Sequence, residues 1–531
     1  MKSGWKKSFF GLFEFDKPYN AYELLETEEG TPSFSSSWQE KSQPDKPQER
    51  TVNESLNKNL ELLKKEYRGD INTDLILRRF IFAGKVRACA AFMNGMADEN
   101  QVSDFIIRPA LRQEGIEGDM PLPVFAEQKV FCMQETELSS DWSIVEQAIS
   151  EGRTVVFLDG QTQTIIMDTR GFASRSVPDA ENEATILGPH EAFCENIRTN
   201  ITLVRRIVKT PDFVCELRSA GGENNIRLAI AYRESKVNKG LLNEIKKRLA
   251  NIDTEMIMAN GTINQLIEQH PNSPIPQTLS TERPDRAAAA VMQGKVVLIV
   301  EGSPQVTVLP VTVETLLTSA EDAYLRRPVG IIVRLVRIFG IIITTLMPAY
   351  FLALTCHHQG MLSSEVLTTI ISSRTMVFLP LPLEMIFLLL IFQLVREAGI
   401  RVPGAMGQAV GIIGGLILGQ AAVAANIVST IVLIIVALTG LGNFAVPDYS
   451  TQLALAYYRI LLCLAAWIGG LLGVSCTILV TIGLLSAQKS FGVPFFTPFA
   501  PRTYRKYRII RGDIGMHKRA EDYMNTEEVR P

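Results

Sequence analysis

The sequence predicts an α/β cytoplasmic N-terminal region of two related lobes followed by an α-helical multi-pass transmembrane domain. Three observations support this fold class. Charged residues are unevenly distributed, since 87 lie in residues 1–337 and only eight in residues 338–488. One ten-residue pattern occurs twice in the charged region, and five apolar segments follow it. The overall values for the 531 residues, 21% charged residues and a mean hydropathy of +0.13, are therefore averages over two different regions.

The first part of the chain is expected to be an N-terminal segment with a disordered linker. Residues 27–58 are rich in Ser, Pro, Gln, Glu and Lys, a composition that buries too little apolar surface to hold a fold. Met1 to Phe15 lacks the apolar run and the small-residue cleavage site of a signal peptide, which favours a cytoplasmic location for the region before the membrane block. The predicted N-terminal segment occupies residues 1–70, the first α/β lobe residues 71–185 and the second α/β lobe residues 186–325. The predicted transmembrane helical domain follows at residues 326–488, and the basic cytoplasmic tail at residues 489–531.

The two lobes are predicted to be related because Glu151–Gly160 aligns without a gap with Gln293–Gly302. In each copy an acidic residue and a glycine separate two β-prone runs. This pattern indicates a hairpin turn, since glycine adopts positive φ without steric cost. Asp159 and Glu301 are therefore interpreted as turn residues. The alternative is a pair of functional carboxylates.

Five apolar segments are expected in the transmembrane domain, at residues 338–354, 376–395, 408–425, 427–446 and 460–485. Crossing the hydrocarbon layer takes about 20 apolar residues, so the first segment is barely long enough and the third is the weakest. Arginine and lysine flank the block at both ends, which places both ends in the cytoplasm and requires an even number of crossings. We expect four crossings and one re-entrant or half-spanning segment within residues 408–446.

Composition and motifs exclude several functional classes. A net charge of −3 argues against a nucleic-acid binder, and the seven cysteines never fall at metal-ligand or redox spacing. Phosphate-binding glycine loops, GxSxG and HExxH are absent, so the sequence predicts neither an enzyme nor a bound metal or cofactor. His357 and His358 are adjacent and point in different directions on any regular element, which makes a shared metal unfavourable.

A stripe of glycines runs through the third apolar segment, at Gly407, Gly411, Gly415 and Gly419. At helical spacing these residues form one smooth face that allows another backbone to approach closely. Two interpretations remain open. The stripe packs helices within one chain, or copies of the segment line a pore in an oligomer.

Glu384 is the carboxylate that lies within an apolar segment, where an ionised group costs at least about 2.5 kcal/mol. It is either a pore or gating residue or a hydrogen-bonded structural glutamate. Gln420, Asn426 and Asn443 are further polar groups at membrane depth, and each suits an interhelical hydrogen bond better than an ion ligand.

Several motifs in a fixed order resemble the GerA-type spore germination proteins, the A subunits of nutrient germinant receptors. The resemblance runs from about Gly188 to Pro501. Its motifs are the stretches 188–193, 198–206, Thr281-Glu282-Arg283-Pro284-Asp285, Arg396-Glu397 through Arg401 to Pro403, 419–423 and 490–498. Glu282, Arg283, Pro284, Asp285, Arg396, Glu397 and Arg401 are the candidate loop residues of these motifs.

The resemblance implies an integral protein of the inner membrane of the bacterial endospore, with both termini on the core side. It further implies a transporter-like B subunit and a lipoprotein C subunit as partners, a homo-oligomeric ring, and a nutrient-gated cation path in contact with membrane lipid. Under this reading Glu384, Gly407, Gly411, Gly415, Gly419, Gln420 and Asn426 become candidate pore or gating residues.

The chain lacks three acidic residues of the family pattern in or beside the membrane block. They are replaced here near Leu389 and at Gln393 and Ala424, and the family's tandem aromatic stretch reads Asp322-Ala323-Tyr324. A non-sensing scaffold or amplifier subunit of the stage V sporulation type is therefore an alternative to a nutrient receptor.

Overall fold

The computed structural model describes residues 50–497, except 117–119, 172–179, 181–182, 184, 223, 253, 255 and 402–418. Two α/β lobes precede a bundle of helices. The predicted α/β region with two related sheets is therefore confirmed.

The first lobe is a five-stranded antiparallel sheet with helices on both faces. Its main elements are α1 (Leu56–Glu66), β1 (Leu75–Phe82), β2 (Val86–Met93), β3 (Thr136–Ser139), α2 (Trp142–Ser150), β4 (Thr154–Leu158) and β5 (Thr164–Met167). Short helical turns between β2 and β3 comprise Glu99–Gln101, Val102–Ile107, Arg108–Arg112, Leu122–Phe125 and Ala126–Val130. The strand order is β1-β2-β4-β5-β3.

The second lobe repeats this topology with the strand order β6-β7-β9-β10-β8. Its elements are α3 (Ile197–Ile207), β6 (Phe213–Ala220), β7 (Ile226–Arg233), α4 (Lys239–Ala250), α5 (Asn260–Ile267), β8 (Leu279–Thr281), α6 (Pro284–Met292), β9 (Val296–Val300), β10 (Val306–Leu309) and α7 (Val313–Leu317). A 3₁₀ turn, Ala320–Ala323, follows α7.

The predicted hairpins β4–β5 and β9–β10 are both present, and their turns repeat in detail. Gly160 and Gly302 have φ values of 81° and 76°. Asp159 forms an ion pair with Arg87 (2.6 Å), and Glu301 lies 3.8 Å from the corresponding Arg227. These carboxylates stabilise equivalent turns in separate lobes.

A second repeat lies at the start of the first helix of each lobe. The buried Asn59 side chain donates to the Asn53 carbonyl (2.6 Å) and accepts from its N–H. Asn200 makes the same pair of bonds with Cys194. The first lobe therefore includes residues before the expected start at 71. Val52, Leu56 and their neighbours enter its core because the helix 56–66 carries an apolar face.

The helical region contains α8 (Arg327–Cys356), α9 (Ser364–Ser372), α10 (Leu381–Arg401), α11 (Thr430–Phe444) and α12 (Tyr449–Ala487), with a 3₁₀ turn at Gln359–Met361. Among the described helices, two are long and apolar enough to cross a membrane, Pro328–Cys356 and Tyr449–Ala487, and α11 is a shorter apolar helix. A two-stranded ribbon, β11 (Lys489–Ser490) and β12 (Val493–Pro494), follows α12.

Helix α12 folds back on itself at Gly470, whose φ of 56° and ψ of −141° are not helical. The backbone of Ala465 lies against Gly473, although eight residues of straight helix would separate them by about 12 Å. Ala454 is buried in the core of the second lobe, and Leu485 packs against the same core. The two arms of α12 are therefore antiparallel, and both outer ends lie at the second lobe.

The predicted apolar segments correspond only partly to single helices. Segment 338–354 lies within α8, segment 376–395 overlaps α10, and α11 lies within segment 427–446. Most of segment 408–425 lies outside the described residues. Segment 460–485 is divided between two arms, because Gly470 adopts a conformation that other residues rarely reach.

The second lobe completes its core with residues that follow the helical region. Phe495 is buried in the core on one face of the sheet and Phe491 in the core on the other. Ser490 Oγ accepts from the Val311 N–H (3.1 Å) and donates to the Gln277 carbonyl (2.7 Å). The chain thus returns to the second lobe after leaving it at α8.

Candidate functional site

A buried polar network joins the second lobe to the start of α8, and its first part is the predicted motif Glu282–Asp285. The fully buried Arg283 binds the Asp285 carboxylate with two hydrogen bonds of 3.0 and 2.8 Å. The Tyr324 hydroxyl donates to the same carboxylate at 2.6 Å. This network brings together a motif at the start of α6 and a tyrosine just before α8.

The local sequence explains why these side chains converge. Arg283 precedes the first residue of α6, Pro284 occupies the first turn without an N–H that needs a partner, and Asp285 lies where the helix dipole favours a negative charge. Glu282 is buried and accepts a hydrogen bond from the Glu183 N–H at 2.5 Å. The motif therefore organises the connection between the lobes as well as α6.

Electrostatics keep this part of the network charged. Burial alone would raise the pKa of Asp285, but hydrogen bonds from Arg283 and Tyr324 outweigh burial and hold the pKa below its usual range. Burial and the bond to Asp285 raise the pKa of Tyr324 to about 12, so the hydroxyl keeps its proton at neutral pH. The arrangement is a stable ion pair rather than a proton-transfer site.

The second part of the network fixes α8 to the lobe through Asp322. Its buried carboxylate accepts from Arg337 at 2.8 and 3.0 Å and from Arg334 Nε at 3.2 Å. The desolvation of Asp322 is outweighed by Arg337 and Arg334, which hold its pKa below the usual range. Arg337 also donates to the Leu317 carbonyl at 2.7 Å, so one side chain contacts two segments of the lobe.

The sequence did not predict this pairing. Arg334 and Arg337 belong to the arginines before the first apolar segment, which were used only to orient the membrane block, and their acidic partner was not recognised. In the sequence, Asp322 lies 12 residues before Arg334 and 15 residues before Arg337. A separation of this length is not a helical spacing and therefore does not imply contact.

Lys295 is a further buried charge near the network. Its ammonium group donates to Thr315 Oγ1 at 2.7 Å, and burial lowers the pKa of Lys295 to about 8. Nothing in its sequence context, at the start of a β-prone run, distinguishes it from an exposed lysine.

Glu384 is fully buried at the end of the bundle farthest from the lobes. Its Oε1 accepts from the Ser429 N–H (2.5 Å) and from Ser429 Oγ (2.7 Å), and its Oε2 lies 3.3 Å from Arg374 Nε. Ser429 immediately precedes α11, so the carboxylate lies at the positive end of that helix. These contacts favour the structural alternative for Glu384.

The other candidate pore residues are described only in part. Gly407, Gly411 and Gly415 lie outside the described residues. Gly419 lies against Leu433, while Gln420 and Asn426 are exposed. Asn426 has a φ of 54°, and its carbonyl accepts from the Phe378 N–H at 3.3 Å.

The second predicted motif lies at the lobe-side end of the bundle. Arg396 stacks over the Tyr449 ring at 5.3 Å, and Glu397 on the same helix is engaged in an interaction of its own. Arg401 is the last residue of α10, and its side chain lies outside the described part of the chain. Sequence reasoning did not single out Arg459, which is buried in α12 and donates to Thr344 Oγ1 at 3.1 Å.

Comparison with known proteins gives a consistent result. The family model described as Bacillus/Clostridium GerA spore germination protein matches residues 61–522. Spore germination protein GerLA of Bacillus cereus is 32% identical over 483 residues, covering 90% of this chain and 98% of that protein. Spore germination protein KA of Bacillus subtilis (strain 168) is 31% identical over 461 residues, covering 86% and 84%.

Among solved structures, the chain is similar to the N-terminal domain of the A subunit of the Bacillus megaterium spore germinant receptor GerK3. That similarity has a TM-score of 0.40 and 23% identity, and it covers 49% of this chain and 97% of that one. In the described residues, no group of three or more His, Cys, Asp or Glu side chains is placed to hold a metal ion.

Proposed function

Because the chain belongs to the GerA family of spore germination proteins, we propose that it is the A subunit of a nutrient germinant receptor in the inner membrane of the endospore. Membership in the family gives it a role in spore germination. The finer role proposed is to couple a nutrient signal, received from a partner subunit, to the opening of a cation path.

The proposed topology has six crossings, with both termini on the core side. α8 leads away from the lobes, and α10 and α11 both lead back. Both begin at the far end of the bundle, where Glu384 contacts Ser429. Both end near the lobes, where Arg396 of α10 contacts Tyr449 and Gly442 of α11 contacts Gly340. The proposed topology therefore includes one further outward crossing between the end of α10 and the start of α11. The two arms of α12 supply the last two crossings.

This topology replaces the four crossings and one half-span expected from the sequence, and it keeps the even number that the flanking charges require. The arm 449–469 is about 31 Å long and the arm 471–487 about 25 Å at 1.5 Å per residue. Both lengths approach the ~30 Å of hydrocarbon that a crossing needs.

The proposed complex contains a transporter-like B subunit, a lipoprotein C subunit and several copies of this chain. Copies of the glycine-rich segment around Gly407, Gly411, Gly415 and Gly419 would line the cation path, because small residues allow helices to approach an axis closely. The proposal does not direct cations past Glu384, because both its oxygens face groups of the same chain.

One observation carries the coupling proposal, the buried ion pairs of Asp322 with Arg334 and Arg337. The Asp322 carboxylate lies in the lobe, whereas both arginines lie in the first three turns of α8. A movement of the lobe must therefore displace α8 or break a buried ion pair, and breaking such a pair costs about 3–5 kcal/mol. This connection is stiff enough to transmit a signal.

The test compares spores that carry Asp322→Asn with spores that carry Asp159→Asn. Asp159 forms an ion pair on a partly exposed turn of the first lobe, so its loss should leave the response unchanged. We expect Asp322→Asn to reduce nutrient-triggered cation release by roughly 5- to 150-fold, the range of a typical coupling free energy. Immunoblots of spore membranes control for protein amount. Equal release from the two variants at equal abundance would contradict the proposal.

A further inference from the structure

A cluster of polar side chains without partners lies at the lobe-side end of the helix bundle. Arg459 Nε and both terminal nitrogens of Arg396 are buried and make no hydrogen bond within the described part of the chain. Two acceptors on neighbouring helices are also unpartnered, Gln393 Oε1 and Asn443 Oδ1. Gln393 lies one turn before Arg396 on α10, and Asn443 lies one turn after Thr439 on α11.

Contacts among four helices fix the position of this cluster. Arg459 of α12 donates to the Thr344 hydroxyl of α8, which in turn donates to the Thr439 carbonyl of α11 at 2.8 Å. Arg396 of α10 stacks on Tyr449, ten residues before Arg459. A Cβ on Gly440 of α11 would lie against Phe392 Cζ of α10, so α10 packs beside Thr439 about one turn before Arg396.

Neither arginine has a carboxylate partner among the described ion pairs. Glu397, next to Arg396, is engaged in an interaction of its own, and the other described acids of the helical region are engaged or distant. Glu384 binds Ser429 at the opposite end, Asp448 caps α12 through Thr451, and Glu365 is exposed in α9 beyond the far end of α8. The undescribed segment between α10 and α11, residues 402–418, contains no Asp or Glu in its sequence.

Two cationic side chains whose unpartnered nitrogens are buried, with no described carboxylate bound to either, are an unfavourable arrangement. A guanidinium keeps its proton at any physiological pH, so it cannot relieve the cost of burial by becoming neutral. Arg459 is 1% exposed, which leaves almost no access to bulk water. A negatively charged group between the two arginines would balance their charge and accept the unmet hydrogen bonds.

We propose that Arg396 and Arg459 form a binding site for one small oxyanion, of the carboxylate or phosphate class. Three unpartnered N–H-bearing nitrogens match the several acceptor oxygens of such a group, and the planar fork of arginine binds two oxygens at once. The unpartnered atoms are enclosed by the bundle, which suits a small group and not a folded partner. This site does not depend on the proposed cation path.

The experiment measures the unfolding midpoint of the full-length protein in an uncharged detergent, with sodium chloride holding the ionic strength constant. Sodium phosphate and sodium acetate are the probes of a free oxyanion. A second arm uses nanodiscs of phosphatidylcholine with and without phosphatidylglycerol, whose headgroup carries the same phosphate chemistry. The wild type should show a saturable rise of about 2–8 °C in at least one arm.

The matched variants are Arg396→Gln and Arg459→Gln, with Arg108→Gln as the control because Arg108 is an exposed arginine of the first lobe. The rise should disappear in the first two and persist in the control. Arg459→Lys keeps the positive charge without the fork and should need at least about tenfold more phosphate for the same rise, which tests the site in a protein that retains its charge.

A rise with inorganic phosphate or acetate in lipid-free detergent identifies a free oxyanion as the source, and a rise only with phosphatidylglycerol identifies a lipid headgroup. Either result supports the site if it requires both arginines. The proposal would be overturned if the unfolding midpoint of the wild type rose in neither arm. It would also be overturned if the midpoints of Arg396→Gln and Arg459→Gln rose as much as that of the wild type.

Discussion

The bend at Gly470 gives a prediction that two neighbouring glycines can test against each other. A Cβ at position 470 would lie 2.8 Å from His357 Cβ and 3.0 Å from His358 Nε2, and the φ of 56° is itself unfavourable for alanine. Backbone strain of this kind costs about 1–3 kcal/mol, and displacing the histidines adds to it. Gly470→Ala should therefore destabilise the protein by about 3 kcal/mol or more.

Gly469→Ala is the matched control, because nothing lies within 4 Å of a Cβ at that position and its backbone is helical. Alanine is favoured over glycine inside a helix by about 0.5–1 kcal/mol, so this variant should be neutral or slightly more stable. The two free energies of unfolding should then differ by about 3–4 kcal/mol despite identical chemical changes at adjacent positions.

The assay is equilibrium unfolding of both purified variants in mixed micelles, followed by circular dichroism. Loss of the Leu471 N–H bond to His358 Nε2 (3.3 Å) should accompany the destabilisation, because the added methyl group displaces that ring. Equal stability of the two variants would refute the fold-back of α12 and, with it, the last two of the six proposed crossings.

Two further predictions concern single charged residues. Lys295→Met should be more stable than the wild type at pH 7, by up to about 3 kcal/mol, since the lowered pKa of about 8 means that the folded protein carries an unfavourable buried charge at that pH. The unfolded chain retains the Lys295 proton up to about pH 10.5, so the stability of the wild type should rise between about pH 8 and 10.5 relative to Lys295→Met. Urea titrations at a series of pH values measure this difference. A constant difference between the two proteins over this pH range would contradict the lowered pKa of Lys295. Glu384→Gln should lower the free energy of unfolding by about 1–3 kcal/mol through loss of the Arg374 ion pair, while cation selectivity in reconstituted vesicles stays unchanged. Altered selectivity at unchanged stability would restore Glu384 as a pore residue.

The features that the sequence predicted well depend on short-range signals. An acid-glycine pair between two β-prone runs indicates a turn from local conformational preferences alone, and both turns are found at Gly160 and Gly302. The family motifs were recognised from contiguous residues in the same way.

The features that escaped prediction depend on contacts between distant residues. The pairing of Asp322 with Arg334 and Arg337 requires knowing that a short 3₁₀ turn folds against α8. Gly470 looked like one of many glycines in an apolar run, and only its contact with His357 shows that the chain reverses there. Arg459 was counted among the charges of the membrane block but lacked a visible partner in the sequence.

The start of the first lobe was misplaced for a related reason. Composition averaged over residues 27–58 is polar, which conceals the short apolar positions Val52 and Leu56 at its end. These residues are buried because α1 closes one face of the first sheet. Averages over long windows lose such boundaries.

The return of the chain to the second lobe determines the order in which the protein can be completed during synthesis. The first lobe has all of its core residues once the ribosome has passed Met167. The second lobe lacks Phe491 and Phe495 until every helix of the bundle has been made, although its own strands end at Leu309. Its final packing must therefore wait for synthesis of the whole bundle, so a chain interrupted anywhere in the bundle leaves both faces of that sheet incomplete and exposed to quality-control proteases.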